Sequence, residues 1–334
     1  MRKAGRATIK DVAEAAGVSM GTVSRYLNGA HWVSQHAQHA IARAIETTGY
    51  TANQSARSLV TGRTNSIAYL LTETSQMLFA DPTYALILRG TAVEMARRGL
   101  TLVVLVAGTD EERTNVSRYV RAGHVDGVLL ISPHEGDPLV RELLDQGVPL
   151  VSSGTPLGFE DRAHYVTIDE AEGGALAARR FRTLGRRTVA MIAGPPDTPG
   201  GRFRREGFVG EMGDGLRPEL IVEGDFGLHS GEDAMRELLR REPAVDAVFA
   251  ASDAMAVGAI TVLREAGRRV PEDVVVIGFD DSGLAADADP PLTTIRQPWE
   301  DLTGALVELI LDAIDGAPLA HRMLRTRLVQ RESC

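Results

Sequence analysis

From residue 66 onward, short β-branched and apolar runs alternate with longer amphipathic segments, and the alternation occurs twice over. Runs at 67–71, 102–106, 127–131 and 149–151 are separated by helical patterns at 84–98, 111–122 and 139–146. Runs at 166–168, 189–192, 220–222, 247–250 and 274–278 are separated by helical patterns at 171–184, 203–211, 231–241 and 254–266. Strands that are apolar at every position are buried on both faces, which predicts parallel sheets covered by helices. Two such lobes in tandem, with no long linker between them, predict a two-lobe α/β body. Ligands of open α/β sheets bind at the carboxyl ends of strands, so a single cleft between the lobes is expected.

The first sixty residues follow a different rule. Thr8 with Asp11 three residues on is a capping-box-like helix start. Ile9, Val12 and Ala16 form an inward face, and Gly17 supplies a left-handed stop. Ser19 can cap a second helix, on which Val23 and Leu27 face inward. Two short helices about a glycine turn form a helix-turn-helix. Its second helix would present Met20, Gly21 and Thr22 to base edges, with Ser24 and Arg25 nearby. The Arg25 fork fits guanine O6 and N7, and Met20 fits a thymine methyl. Ser34 opens a third helix with the stripe Ala37, Ile41 and Ile45, closed by Gly49. Beyond it, Asn53 can cap a helix that Gly62 ends, a segment too short to hold in water alone.

Charge divides the chain at the same place. The net charge is −9, yet residues 1–63 carry eight Lys/Arg and three Asp/Glu, while the remainder carries 28 and 42. A basic module on an acidic body is the electrostatic footprint of a DNA reader.

The stretch Asp11-Val12-Ala13-x-x-Ala16-Gly17-Val18-Ser19-x-x-Thr22-Val23-Ser24-Arg25-x-x-Asn28 resembles the headpiece of the LacI/GalR family of bacterial repressors. The resemblance continues through Val125-Asp126-Gly127, 251–258, Ile277-Gly278-Phe279-Asp280-Asp281, 291–295 and 328–333, nearly the whole chain. It implies an N-terminal helix-turn-helix at 1–63 with a hinge helix at 53–61. It implies a first lobe of 64–163 plus 294–325 and a second lobe of 164–293 plus 326–334. Ser19, Met20, Gly21, Thr22, Ser24, Arg25 and Asn28 would contact operator DNA. The hinge residues Asn53, Ala56, Arg57 and Leu59 would join them, Leu59 as a minor-groove wedge. Thr83, Tyr84, Arg204, Phe226, Ser252, Asp280 and Trp299 match ligand contacts, with Phe226 and Trp299 as aromatic platforms. Ser252 departs from the family's frequent asparagine. Asp253 is expected to cap the helix at 254–266.

The function implied is a homodimeric repressor on a palindromic operator in double-stranded DNA, released by a mono- or oligosaccharide effector. A nucleobase-like corepressor would use the same groups. A sugar-binding uptake module would need an export signal and has no use for a basic headpiece. No cofactor or metal is expected: there is no Gly-x-Ser-x-Gly elbow, no Walker loop and no metal-spaced His/Cys cluster, which argues against an enzyme. The one cysteine is Cys334. With no apolar run long enough for a bilayer and no signal-peptide layout, a cytoplasmic location away from membranes is expected.

Overall fold

The structure, a computed structural model, describes residues 7–27, 32–50 and 62–334. The chain divides into two units, Met1–Thr64 and Asn65–Cys334.

In the N-terminal unit each helix begins and ends on its own local signal. Thr8 N–H donates to Asp11 Oδ2 at 2.7 Å and Thr8 Oγ1 accepts the Asp11 N–H at 3.4 Å, a reciprocal capping box that opens α1 (Ile9–Ala16). Those Thr8 hydrogen bonds hold the Asp11 carboxyl below its ordinary value. Gly17, at φ 65°, ends α1 in the left-handed region, where a Cβ would be strained. Ser19 Oγ accepts the Thr22 N–H at 3.1 Å and opens α2 (Met20–Leu27). Ser34 caps α3 (Gln35–Thr48), which Gly49 ends. Val12, Val23 and Ile41 are sealed together with Ala13, Val33 and Ala44. Ile9, Ala16, Leu27, Ala37 and Ile45 pack only at the rim of that core. Gly62 has φ 67°, the geometry of a helix stop, but the 53–61 hinge helix lies outside the described residues.

The second unit starts with β1 (Ser66–Leu71), α4 (Ser75–Ala80), α5 (Pro82–Arg97), β2 (Thr101–Val106) and α6 (Asp110–Arg121). β3 (Gly127–Ile131), α7 (Pro138–Asp145), β4 (Leu150–Ser153) and β5 (His164–Ile168) follow. Next come α8 (Glu170–Thr183), β6 (Val189–Ala193), α9 (Pro199–Met212), β7 (Ile221–Glu223) and α10 (Leu228–Arg241). They lead to β8 (Ala247–Ala250), α11 (Asp253–Glu265), β9 (Val275–Asp280), α12 (Gly283–Asp287) and β10 (Thr293–Arg296). The chain closes with α13 (Trp299–Ile314), β11 (His321–Leu324) and β12 (Arg327–Val329).

One sheet has the order β11-β5-β4-β3-β1-β2 and is parallel throughout. The other has the order β12-β10-β9-β8-β6-β7, parallel except for β12, which runs antiparallel to β10 at the edge. Ile67, Tyr69 and Leu71 of β1 feed one apolar cluster and Ala68 and Leu70 another, so this strand is covered on both faces. β2 is half-exposed because it forms the sheet's edge.

The strand order moves two of the expected lobe boundaries. β5 pairs with β4, Val151 opposite His164, so 164–168 belongs to the first lobe, not the second. β10 pairs with β9, Ile295 opposite Phe279, so 294–296 belongs to the second lobe. The chain therefore crosses at Asp169, returns at Gln297–Pro298, and crosses again between β11 and β12. Local pattern marks where a strand is, but hydrogen-bond pairing decides which sheet it joins. After the return, α13 packs on the first lobe, against α5 and β3–β5.

Candidate functional site

Between the two sheets of the second unit lies an open cleft lined by residues of both lobes, in the place where ligands of open α/β sheets bind. All seven residues expected at the ligand line it: Thr83, Tyr84, Arg204, Phe226, Ser252, Asp280 and Trp299.

Arg204 is its best-determined element. α8 and α9 meet without side chains between them: a Cβ on Gly174 would lie 2.2 Å from the Arg204 carbonyl oxygen, and one on Gly207 1.8 Å from that of Ala171. This contact carries Arg204, on α9, to Glu170, the first residue of α8. Arg204 Nε donates to Glu170 Oε2 at 2.6 Å and Nη2 to Oε1 at 3.4 Å, a forked pair. Nη1 donates to the Ala251 carbonyl at 2.6 Å and to Asp280 Oδ1 at 3.4 Å. The guanidinium lies 3.7 Å from the centre of the Phe279 ring and 5.7 Å from that of Phe226. Burial works against the Arg204 charge, but Glu170 and Asp280 more than restore it and raise its pKa. Burial pushes Asp280 well above the ordinary carboxyl value despite Arg204. Gln297 Nε2 also donates to Asp280 Oδ1, at 2.7 Å, which leaves Oδ2 for a ligand hydroxyl.

Around this clamp the remaining residues differ in how free they are. Phe226 is held at φ 69°, and its ring lies so close to Gly194 that a Cβ there would sit 2.2 Å from Cε1. Ser252 lines the cavity, but its hydroxyl donates to the Phe226 carbonyl at 2.8 Å and accepts the Met255 N–H at 3.1 Å. Its departure from asparagine thus supports the platform, with one acceptor site left for a ligand. Asp253 is not the cap of α11; Ser252 is. Asp253 instead ties β8 to β9 and β10, accepting from the Ser282 N–H at 2.8 Å and the Thr294 hydroxyl at 2.5 Å. Asp281 pairs with Arg296 and Arg331, away from the Asp280–Arg204 pair.

From the first lobe, Thr83 and Tyr84 enter on the first turn of α5, which Asp81 caps by accepting the Thr83 N–H at 2.8 Å. Burial raises the Asp81 carboxyl and, more strongly, the Tyr84 hydroxyl. Trp299 begins α13 and packs on the first-lobe core. Asp81, Ser132, Glu170 and Gln297 line the cavity without having been expected. Ser132 and Gln297 had a findable signal, because each follows directly on a strand end, and Glu170 comes two residues after one.

In the N-terminal unit, Ser19, Met20, Gly21 and Arg25 are exposed along α2, and Thr22 and Ser24 half-buried. Arg25 Nε donates to the Gly21 carbonyl at 3.0 Å, which folds the guanidinium back along α2. Asn28, Asn53, Ala56, Arg57 and Leu59 lie outside the described residues.

The fold and cavity define a two-lobe small-molecule-binding protein that carries a helix-turn-helix unit. Residues 8–53 match the family model of bacterial regulatory proteins, lacI family, and residues 178–334 that of the periplasmic binding protein-like domain. The HTH-type transcriptional regulator CelR of Thermobifida fusca is 44% identical, over 100% of both chains. A structure of a transcriptional regulator CelR–cellobiose complex is 43% identical, with TM-score 0.79 over 98% of this chain and 100% of that one. The lac repressor dimer bound to operator and the anti-inducer ONPF is 25% identical, with TM-score 0.87 over 98% and 99%. The chain belongs to the LacI family: it is a DNA-binding transcriptional regulator, and its relatives are regulators and not enzymes. Among the described residues no helix is long and apolar enough to cross a membrane.

Proposed function

We propose that the protein is a cytoplasmic repressor that binds a near-palindromic operator as a homodimer and is released by a neutral oligosaccharide held between its lobes. The observation that carries the effector reading is the Arg204 clamp. Its cation is already matched by the forked Glu170 pair and bonded to Asp280, so the cavity has no spare positive charge for an anionic ligand but keeps carboxyl oxygens as acceptors for hydroxyls. A sugar supplies hydroxyl donors, and Phe226 and Trp299 offer aromatic faces to its ring. Cellobiose is the first candidate, on the strength of the relative solved with it. The exposed face of α2 from Ser19 to Arg25 would read one half-site. Asn28, Asn53, Ala56, Arg57 and Leu59 would complete the DNA contacts. Ligand in the cleft would change the relation between lobes and so bias DNA affinity, coupling two sites through one two-state element.

The test is operator binding by the full-length protein, titrated with cellobiose. Cellobiose should release the wild type, whereas Asp280→Ala should bind operator and stay bound. Release of the variant at the same cellobiose concentration would remove Asp280 from the effector site. A response to nucleobases in place of sugars would replace the effector class.

A further inference from the structure

The lobes also meet through two loops, 132–137 after β3 and 194–198 after β6. The Glu135 backbone N–H donates to the Asp197 carbonyl across the cleft at 2.8 Å. His134 stands between two carboxylates, with Nε2 2.8 Å from Glu73 Oε1 in its own lobe and Nδ1 2.8 Å from Asp197 Oδ2 in the other. Arg202 of α9 pairs with Glu135 beside them.

This joint reaches into the cavity. Ser132 Oγ donates to Glu73 Oε1 at 2.9 Å, and Tyr84 Oη donates to Ser132 Oγ at 3.2 Å. Ser132 adopts φ 58°, a left-handed backbone that costs a serine energy and that its neighbours must enforce. One hydrogen-bonded line therefore runs Tyr84–Ser132–Glu73–His134–Asp197, from the cavity wall of the first lobe to a loop of the second.

We propose that His134 is a positioning residue for effector binding: it latches the lobes together by joining Glu73 to Asp197, and a ligand hydroxyl taken up at Tyr84 or Ser132 tightens that latch. The ligand half of this proposal rests on the effector reading above; the latch half does not.

The electrostatics agree with the geometry. The Glu73 hydrogen bond, and then that of Asp197, raise His134 from 6.5 to about 9 against the effect of burial. Burial opposes the Glu73 charge, but the His134 contacts outweigh it and hold Glu73 below its ordinary value. The Glu135–Arg202 pair and the Asp137–Arg113 pair beside this loop are each neutral as a pair, and two further carboxyl groups face its members, Asp81 toward Glu73 and Glu206 toward Arg202. Opening the cleft leaves Glu73 with His134 and removes only Asp197. Closure therefore raises the His134 pKa by the Asp197 share. The closed state gains most while the imidazole is protonated, and the gain is lost as pH rises through about 9.

Asp197→Ala in the full-length protein provides the test, because it removes the carboxylate and keeps the carbonyl that accepts the Glu135 N–H. Without ligand, hydrogen–deuterium exchange at the Glu135 amide should quicken by about threefold or more, while amides of β8 exchange as before. With cellobiose as probe, wild-type affinity should fall as pH rises through about 9, and both Asp197→Ala and His134→Gln should bind more weakly with a flatter pH profile. Unchanged Glu135 exchange in Asp197→Ala overturns the latch whether or not any sugar binds. Faster exchange with cellobiose affinity and pH profile unchanged overturns its part in effector binding. If cellobiose does not bind the wild type, the choice of effector fails, and the exchange measurement still decides the latch.

Discussion

The two walls of the cleft are built on different principles. The second lobe presents charges that are already matched: Arg204 is forked onto Glu170, bonded to Asp280 and laid on Phe279 before any ligand arrives. The first lobe presents hydroxyls, Thr83, Tyr84 and Ser132, beside one carboxylate, Asp81, that caps its own helix. Matched, buried charges cannot move apart without leaving one unpaired, so the second wall is rigid. Hydroxyls rotate and exchange partners at small cost, so the first wall can adapt and can pass a ligand's presence along the line to His134. The second lobe would therefore set which ligand binds, and the first would report that it has.

The largest effect should come from the second wall. Arg204→Ala leaves Glu170 and Asp280 buried without their cation. It should cost about 3–5 kcal/mol of stability, read from the denaturant midpoint, and abolish cellobiose binding. A loss under about 1 kcal/mol would mean the clamp is hydrated, and the contrast between the walls would vanish.

Gly194→Ala sharpens the same point without touching a charge. Its methyl would lie 2.2 Å from the Phe226 ring, so the platform must shift. The expected cost is about 1–3 kcal/mol with weakened sugar affinity. If affinity survives while stability falls, Phe226 is core and not platform.

The smallest effect belongs to the first wall. Tyr84→Phe removes one hydrogen bond, to Ser132, and should cost about 0.5–1.5 kcal/mol. It should slow or weaken operator release more than it weakens sugar binding. Equal losses in binding and release would make Tyr84 an ordinary contact, and a loss as large as that of Arg204→Ala would reverse the assignment of the two walls.

The sequence was most legible where its signals are local. Thr8, Gly17, Ser19, Ser34 and Gly49 each act within one helix turn, and each is found doing what its residue type predicts. The residues that the family resemblance puts at the ligand all line the cavity; Asp280 ends a strand, whereas Thr83, Tyr84 and Arg204 stand on helices, where the resemblance and not the alternation points to them. The misreadings involve partners far along the chain. Asp253 reads locally as the cap of its own helix, yet it bonds Ser282 and Thr294, 29 and 41 residues away. The strand at 164–168 was assigned to the lobe that follows it, because its pattern restarts the alternation, while its hydrogen bonds point back to β4.

By itself, then, the sequence determined the helix-turn-helix unit, the two α/β lobes and the residue types at the strand ends. These follow from caps, periodicity and turn chemistry, which act over a few residues. Only the tertiary structure decided that Glu170 holds Arg204, that Ser252 supports Phe226 and that His134 joins Glu73 to Asp197. Those pairings depend on which strands lie side by side and on helices brought close by glycine. A buried or cleft-spanning charge finds its partner by proximity in space, and spacing along the chain carries no record of it.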